Sequence, residues 1–155
     1  PSRRYTTNNY LNLSILKQLQ EALKSFDKAV EIEPEDPTGW YNRGNVLFEL
    51  GRYDDAVNSY DKALEIYPEY VDGWNNRGNA LFELKKYDEA LQSYEKALKL
   101  YPKFATAWYN RGAVLEKLGK YKEALKSYDK ALEINPQYEK AKKARESLLE
   151  IMRMK

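Results

Sequence analysis

Trp40-Tyr-Asn-Arg-Gly-Asn-Val-Leu-Phe-Glu-Leu50 returns as Trp74-Asn-Asn-Arg-Gly-Asn-Ala-Leu-Phe-Glu-Leu84 and again as Trp108-Tyr-Asn-Arg-Gly-Ala-Val-Leu-Glu-Lys-Leu118, each 34 residues after the last. The same interval separates Pro34, Pro68, Pro102 and Pro136. It also separates two rows of small residues, Ala22, Ala56, Ala90 and Ala124, and Ala29, Ala63, Ala97 and Ala131. Aromatic residues keep the step at Phe26, Tyr60, Tyr94 and Tyr128. Residues 37–70 and 71–104 are identical at 20 of 34 positions, so the chain is an array of one supersecondary unit.

Each unit reads as two helices. Apolar Trp40, Leu47 and Leu50 lie on one helical side, and Gly51-Arg52 breaks the first helix. Tyr53 to Ile66 then spaces Tyr53, Ala56, Val57, Tyr60, Ala63 and Leu64 along one helical face, and Pro68 ends it by disfavouring helix in the residue before it. Gly44, Gly78 and Gly112 sit inside the first helices, where glycine costs about 1 kcal/mol against alanine. A glycine kept at that register points to a close approach by a neighbouring helix, and the alanines of the second helix are the expected other half of the contact.

Composition narrows the chemistry. The chain has 155 residues, 43% hydrophobic and 32% charged, enough apolar surface for a core and no run that would cross a membrane. With no cysteine and no histidine there are no disulfides, thiolate sites or thiol nucleophiles, and neither the commonest general base nor the commonest metal ligand. Asp54-Asp55 and Asp88-Glu89 open second helices, where acids favour the positive dipole end, so they read as helix-terminus charges rather than an acid–base pair. Neither a metal nor a cofactor is expected, and an enzyme is excluded at this stage. Absent cysteines and the lack of a charged-then-apolar leader point to a cytoplasmic chain. The formal charge of +2 hides a gradient of +3 over 1–30, −8 over 31–72, −1 over 73–95 and +8 over 96–155. That gradient reads either as solvated helix faces or as head-to-tail contact between molecules; a nucleic-acid binder would show one continuous basic surface.

The spacing of Trp, Gly, Tyr, Ala, aromatic, Ala and Pro, nearly complete three times, resembles the tetratricopeptide repeat family. The resemblance implies an all-α, right-handed superhelical solenoid. It has regular repeats at 37–70, 71–104 and 105–138, a degenerate first repeat at 3–36 and a capping helix at 139–155. One departure is systematic: Arg43, Arg77 and Arg111 stand at the family's usual leucine, and Leu47, Leu81 and Leu115 at its aromatic. These arginines are expected to pair with acids of second helices such as Asp27, Asp61, Glu95 or Asp129, or else to touch a ligand. The cap carries Ala141, Ala144, Leu148 and Ile151 or Met152 on one face. At the start, Thr6 takes the tryptophan's register and Tyr10 the glycine's, and residues 10–33 hold neither Gly nor Pro. One continuous helix therefore competes with a distorted repeat; if it forms, Leu11, Ile15 and Leu19 would seek another molecule, as in a domain swap.

In this family the first helices line a groove that binds peptides, and the carry-over gives three rungs. They are Thr38, Tyr41, Asn42, Asn45, Phe48 and Glu49; then Asp72, Asn75, Asn76, Asn79, Phe82 and Glu83; then Thr106, Tyr109, Asn110, Ala113, Glu116 and Lys117. Asn42, Asn76 and Asn110 resemble the asparagine ladder of a glycosyltransferase repeat arm in the same family. Each amide offers one acceptor and two donors to a peptide backbone, unless it bonds a neighbouring repeat or water instead. Tyr41, Tyr109, Phe48 and Phe82 would add apolar pockets. The implied function is a protein-interaction module for a neutral or basic extended peptide, without nucleic acid or membrane; a self-assembling scaffold, a homo-oligomer through the N-terminal segment, is the alternative. A co-chaperone reading fits less well. Family members that hold a chaperone's acidic tail use a lysine, an arginine and two asparagines. Asn45 and Asn76 match, but the cation places hold Tyr41, Thr106 and Asn110; one repeat later Asn79, Asn110 and Lys140 match while Asn75 and Ala144 do not.

Overall fold

The computed structural model describes the backbone from Ser2 and the side chains from Asn9 to the C-terminus. Eight helices and no strand are found among the described residues. Two compact units divide the chain, Pro1–Pro68 and Glu69–Lys155.

The first unit contains α1 (Ser2–Ile32), α2 (Pro37–Glu49) and α3 (Tyr53–Ile66). Between the alternatives at the start, the chain takes one continuous helix, 31 residues long. Thr6 lies outside the residues whose side chains are described. α1 packs on α2 through Val30 and Ala29, whose Cγ1 and Cβ lie 3.3 and 3.9 Å from where a Cβ on Gly39 would stand. Asp36 caps α2 by accepting from the Thr38 N–H at 3.0 Å, with Pro37 in the first turn where its missing N–H is harmless. Leu47 of α2 and Ala56, Tyr60 and Ala63 of α3 are buried.

The second unit contains α4 (Val71–Glu83), α5 (Tyr87–Leu100), α6 (Ala105–Lys117), α7 (Tyr121–Ile134) and α8 (Glu139–Arg153). Ala97, Leu98 and Ala107 form one core cluster with Trp74 and Trp108 packed on it. Leu115, Ala124, Tyr128 and Leu148 form another. In the cap, Met152 rather than Ile151 joins that cluster; Ile151 is exposed.

The repeating residues turn out to be recurring contacts. The Trp40 indole N–H donates to the Pro34 carbonyl at 2.9 Å and that of Trp108 to Pro102 at 2.8 Å, so the tryptophan and proline rows are two ends of one bond. Each hairpin turn closes with the same pair of backbone bonds, as in Gly51 N–H to Phe48 and Arg52 N–H to Leu47, which requires a positive φ after the first helix. Gly51 and Gly119 supply it at 75°, and Lys85 adopts 60° in the middle hairpin, so the turn forms there without glycine.

The mid-helix glycines correct one expectation. A Cβ added at Gly44, Gly78 or Gly112 would lie 2.6, 2.6 or 2.5 Å from Cε1 of Tyr60, Tyr94 or Tyr128. The other half of the contact is thus a tyrosine ring and not the alanines. The same geometry accounts for α1: the tyrosine at position 10 cannot fold back onto Phe26 where even a methyl would collide, so the helix runs straight.

Candidate peptide-binding face

The residues placed in the groove by sequence lie on α2 in the first unit and on α4 and α6 in the second. Along α4, Asp72, Asn76, Asn79 and Glu83 follow one another at intervals of four, three and four residues and fall on one side of the helix. The stripe is about 16 Å long, the span of roughly five residues of extended chain. Asp72 and Glu83 are exposed, and Asn76, Asn79 and Phe82 are half-buried. On α6, Tyr109 and Asn110 are half-buried and Lys117 is exposed. In the first unit Tyr41, Asn42, Asn45 and Phe48 are half-buried on α2 and Glu49 is exposed.

Asn75 departs from this pattern. It is 5% exposed, accepts from the Asn110 amide at 3.0 Å and donates to Asn76 at 3.4 Å. Asn110, Asn75 and Asn76 thus form a chain of amides across α6 and α4, and one of the two Asn110 donors serves the neighbouring repeat.

Each hairpin also holds a second-helix tyrosine whose hydroxyl reaches its own first helix. The Tyr60 hydroxyl donates to Asn45 at 2.6 Å, and that of Tyr94 to Asn79 at 2.7 Å. Alanine occupies this register at position 113, and there the Tyr128 hydroxyl donates to Glu116 instead. Glu116 stands where Phe48 and Phe82 stand in the other hairpins, so two departures from the repeat compensate each other. Burial pushes these three hydroxyls above their ordinary range, with Glu49, Glu83 and Glu116 adding to it, and they remain donors at neutral pH. Tyr109 is also raised by burial, with Tyr138 and Glu116 contributing; its ring lies 5.9 Å from that of Tyr128 and 5.4 Å from that of Tyr138. Phe48 and Phe82 meet Tyr53 and Tyr87 edge-on at 5.2 and 5.4 Å. The aromatic side chains therefore come as braced pairs, fixed before any ligand arrives.

The arginines are occupied structurally. Arg43 donates to Asp27 and to Ser59, both at 2.7 Å. Arg111 bonds Ser127 at 2.7 Å and Glu95 at 3.4 Å, Arg77 bonds Ser93 at 2.7 Å, and in the cap Arg145 pairs with Asp129 at 2.6 Å. Each repeat arginine also lies over its tryptophan, at 6.0, 5.8 and 5.7 Å from Trp40, Trp74 and Trp108. The acidic partners were expected; the serines were missed. Their signal was present as Ser59, Ser93 and Ser127 at the repeat interval, hydroxyls at 1, 0 and 0% exposure that need a buried donor. A separate cavity of about 530 Å³ is lined by Leu98, Trp108, Lys126 and Lys130 with the Glu95–Arg111 pair, and includes none of the groove residues. Among the described residues no group of His, Cys, Asp or Glu could hold a metal ion, and no helix is long and apolar enough to cross a membrane.

A family model described as tetratricopeptide repeat matches residues 75–139, and another, described as TPR repeat, matches 15–51 and 44–85. The Arabidopsis OM64 TPR domain is 30% identical with a TM-score of 0.71, over 72% of this chain and 93% of that one. The first TPR of Spaghetti (RPAP3), solved with the HSP90 peptide SRMEEVD, is 29% identical with a TM-score of 0.74, over 76% of this chain and 93% of that one. MamA, at 19% identity and a TM-score of 0.77 over 88% of this chain and 90% of that one, shares the fold. No curated protein sequence matches significantly. The all-α architecture is that of these repeat solenoids.

Proposed function

The chain belongs to the tetratricopeptide repeat family, and from that premise we propose that it is a non-catalytic protein-interaction module whose first helices bind an extended peptide of neutral or basic character. The observation that carries this reading is the α4 stripe, in which the exposed carboxylates of Asp72 and Glu83 flank the amides of Asn76 and Asn79. Amides that both donate and accept suit a peptide backbone, and carboxylates at either end select against an acidic side chain. Phe82 and Tyr109, braced by Tyr87 and Tyr138, offer apolar contact at little ordering cost. The peptide SRMEEVD, bound to the structural neighbour, is acidic toward its C-terminal end. Here the places that would need cations hold Tyr41, Thr106 and Asn110.

The test is selection of a displayed random-peptide library on the protein and on an Asp72→Lys/Glu83→Lys variant. Fluorescence anisotropy then follows with the enriched peptide and with SRMEEVD. Both substituted residues are exposed, so stability should stay within about 0.5 kcal/mol. A neutral or basic motif should emerge and bind the variant about tenfold more weakly, a change of about 1.4 kcal/mol. Tighter binding of SRMEEVD than of any selected peptide, or equal binding by the variant, would refute the reading.

A further inference from the structure

The proline-free first helix leaves two halves of a hairpin without each other. In the third regular repeat the second-helix residues Ala124 and Tyr128 cluster with Leu115 of their own first helix, and Tyr128 is 1% exposed. The same register in α1 is Ala22 and Phe26, and there both remain half-buried, while α1 meets α2 through Ala29 and Val30. Going toward the N-terminus, this open stripe continues without interruption through Leu19, Ile15 and Leu11. Ile15 is 48% and Leu11 60% exposed. Helical geometry puts Leu11, Ile15, Leu19, Ala22 and Phe26 on one side, spaced four, four, three and four. Asn12, Ser14, Gln18 and Ser25 border it, and Lys17, Glu21, Lys24, Asp27 and Lys28 fall away from it. An apolar centre with an uncharged polar border is the composition of an interface core.

We propose that a second copy of this chain covers this stripe, the two α1 helices packing antiparallel about a two-fold axis beside residues 18 and 19. The stripe is self-complementary in that arrangement. Leu11 of each copy meets Phe26 of the other, Ile15 meets the small Ala22, and the Leu19 side chains close the centre. No charge of one copy is brought onto a charge of the other along the seam. Exchange of the helix into the regular hairpin geometry, the alternative that the sequence offers, is opposed by Tyr10. That residue would stand against Phe26 where the regular hairpins leave 2.6 Å for a methyl. In the antiparallel pair Tyr10 lies off the seam. Five apolar side chains a copy, three of them already half-buried, cover less than the roughly 800 Å² per partner of a standard interface, which describes a weak, concentration-dependent dimer.

Sedimentation equilibrium or light scattering from roughly 1 to 200 µM tests it. The mass should rise from 18.2 kDa toward twice that value as concentration increases. Ile15→Lys should weaken association at least tenfold while leaving the helical circular dichroism unchanged, since Ile15 is exposed in the single chain. Because the chain has no cysteine, geometry is read by single substitutions. Leu19→Cys should crosslink to itself with a short bismaleimide and Tyr10→Cys should not, its two copies lying about 25 Å apart along the pair. A monomer across the whole range would overturn the proposal. So would an Ile15→Lys mass curve identical to that of the parent, or crosslinking at position 10.

Discussion

Replacing Gly112 by alanine puts helix propensity and packing in direct opposition. Propensity alone makes the substitution favourable by about 1 kcal/mol. The added Cβ, however, would lie 2.5, 2.7 and 3.0 Å from Cε1, Cδ1 and Cζ of Tyr128, so the ring has to retreat by about 1 Å to reach ordinary contact. Tyr128 is 1% exposed, packs in the cluster of Leu115, Ala124 and Leu148, and is tied by its hydroxyl to Glu116. Overpacking of this kind costs about 1–3 kcal/mol, and disturbing a hydrogen bond to a charged acceptor costs about 1.5–3 kcal/mol if it is lost. The net expectation is destabilisation by about 2–3 kcal/mol, a fall in Tm of roughly 4–12 °C for a chain of this size. Thermal and urea melts followed by circular dichroism and tryptophan fluorescence read it. Two comparisons isolate the cause. Gly119→Ala, at φ 75° with nothing near its side chain, should cost about 1 kcal/mol through the backbone alone. Combining Gly112→Ala with Tyr128→Leu should be less damaging than the sum of the two, by about 1 kcal/mol or more. A Gly112→Ala protein as stable as the parent or more so would refute the reasoning, because it would mean the ring moves aside freely.

Lys85→Gly should stabilise the chain by about 1 kcal/mol, since Lys85 holds a φ of 60° that costs an L-residue and not glycine; an unchanged or lower melting temperature would contradict this. Asn110→Ala should destabilise by about 1–2 kcal/mol even without any ligand, because it removes the donor from the buried Asn75 oxygen; unchanged stability would mean that this bond contributes nothing net. In alkali the folded chain retains protons on Tyr60, Tyr94 and Tyr128 that the unfolded chain releases above pH 10. Stability is therefore full below pH 10 and falls above it, by about 1.4 kcal/mol for each tyrosine at pH 11. Denaturant midpoints independent of pH between 9 and 11 would show that the hydroxyls titrate as in water.

Recurrence alone carried the architecture. Second helices from Tyr53 to Ile66 and their equivalents and the last helix from residue 139 are where the 34-residue period and the prolines put them, while the first helices start three residues before each tryptophan, at Pro37, Val71 and Ala105. Helix periodicity and helix stops are local properties, so they survive in the chain as written. Asp27 and Glu95 as partners of Arg43 and Arg111 were also legible, each lying 16 residues before its arginine, whereas Asp129 pairs with Arg145 of the last helix.

What only tertiary structure decided is which side chain fills a given space. Position 113 shows it: alanine there looks like a lost amide in the register of Asn45 and Asn79, and only the fold reveals Glu116 taking the Tyr128 hydroxyl in its place. Asn75 reads as a surface amide until α6 packs beside it, and the glycines read as alanine-facing until the tyrosine rings are placed. The same holds for α1, where two local outcomes were open. Nothing in residues 10–33 forbids a bend, since Lys85 bends without glycine; what forbids it is a tyrosine where a ring must pass. Local periodicity specifies where helices run because their hydrogen bonds close within a few residues. Contacts between helices depend on volume shared by residues 12 to 35 positions apart, and that sharing exists only once the chain has folded.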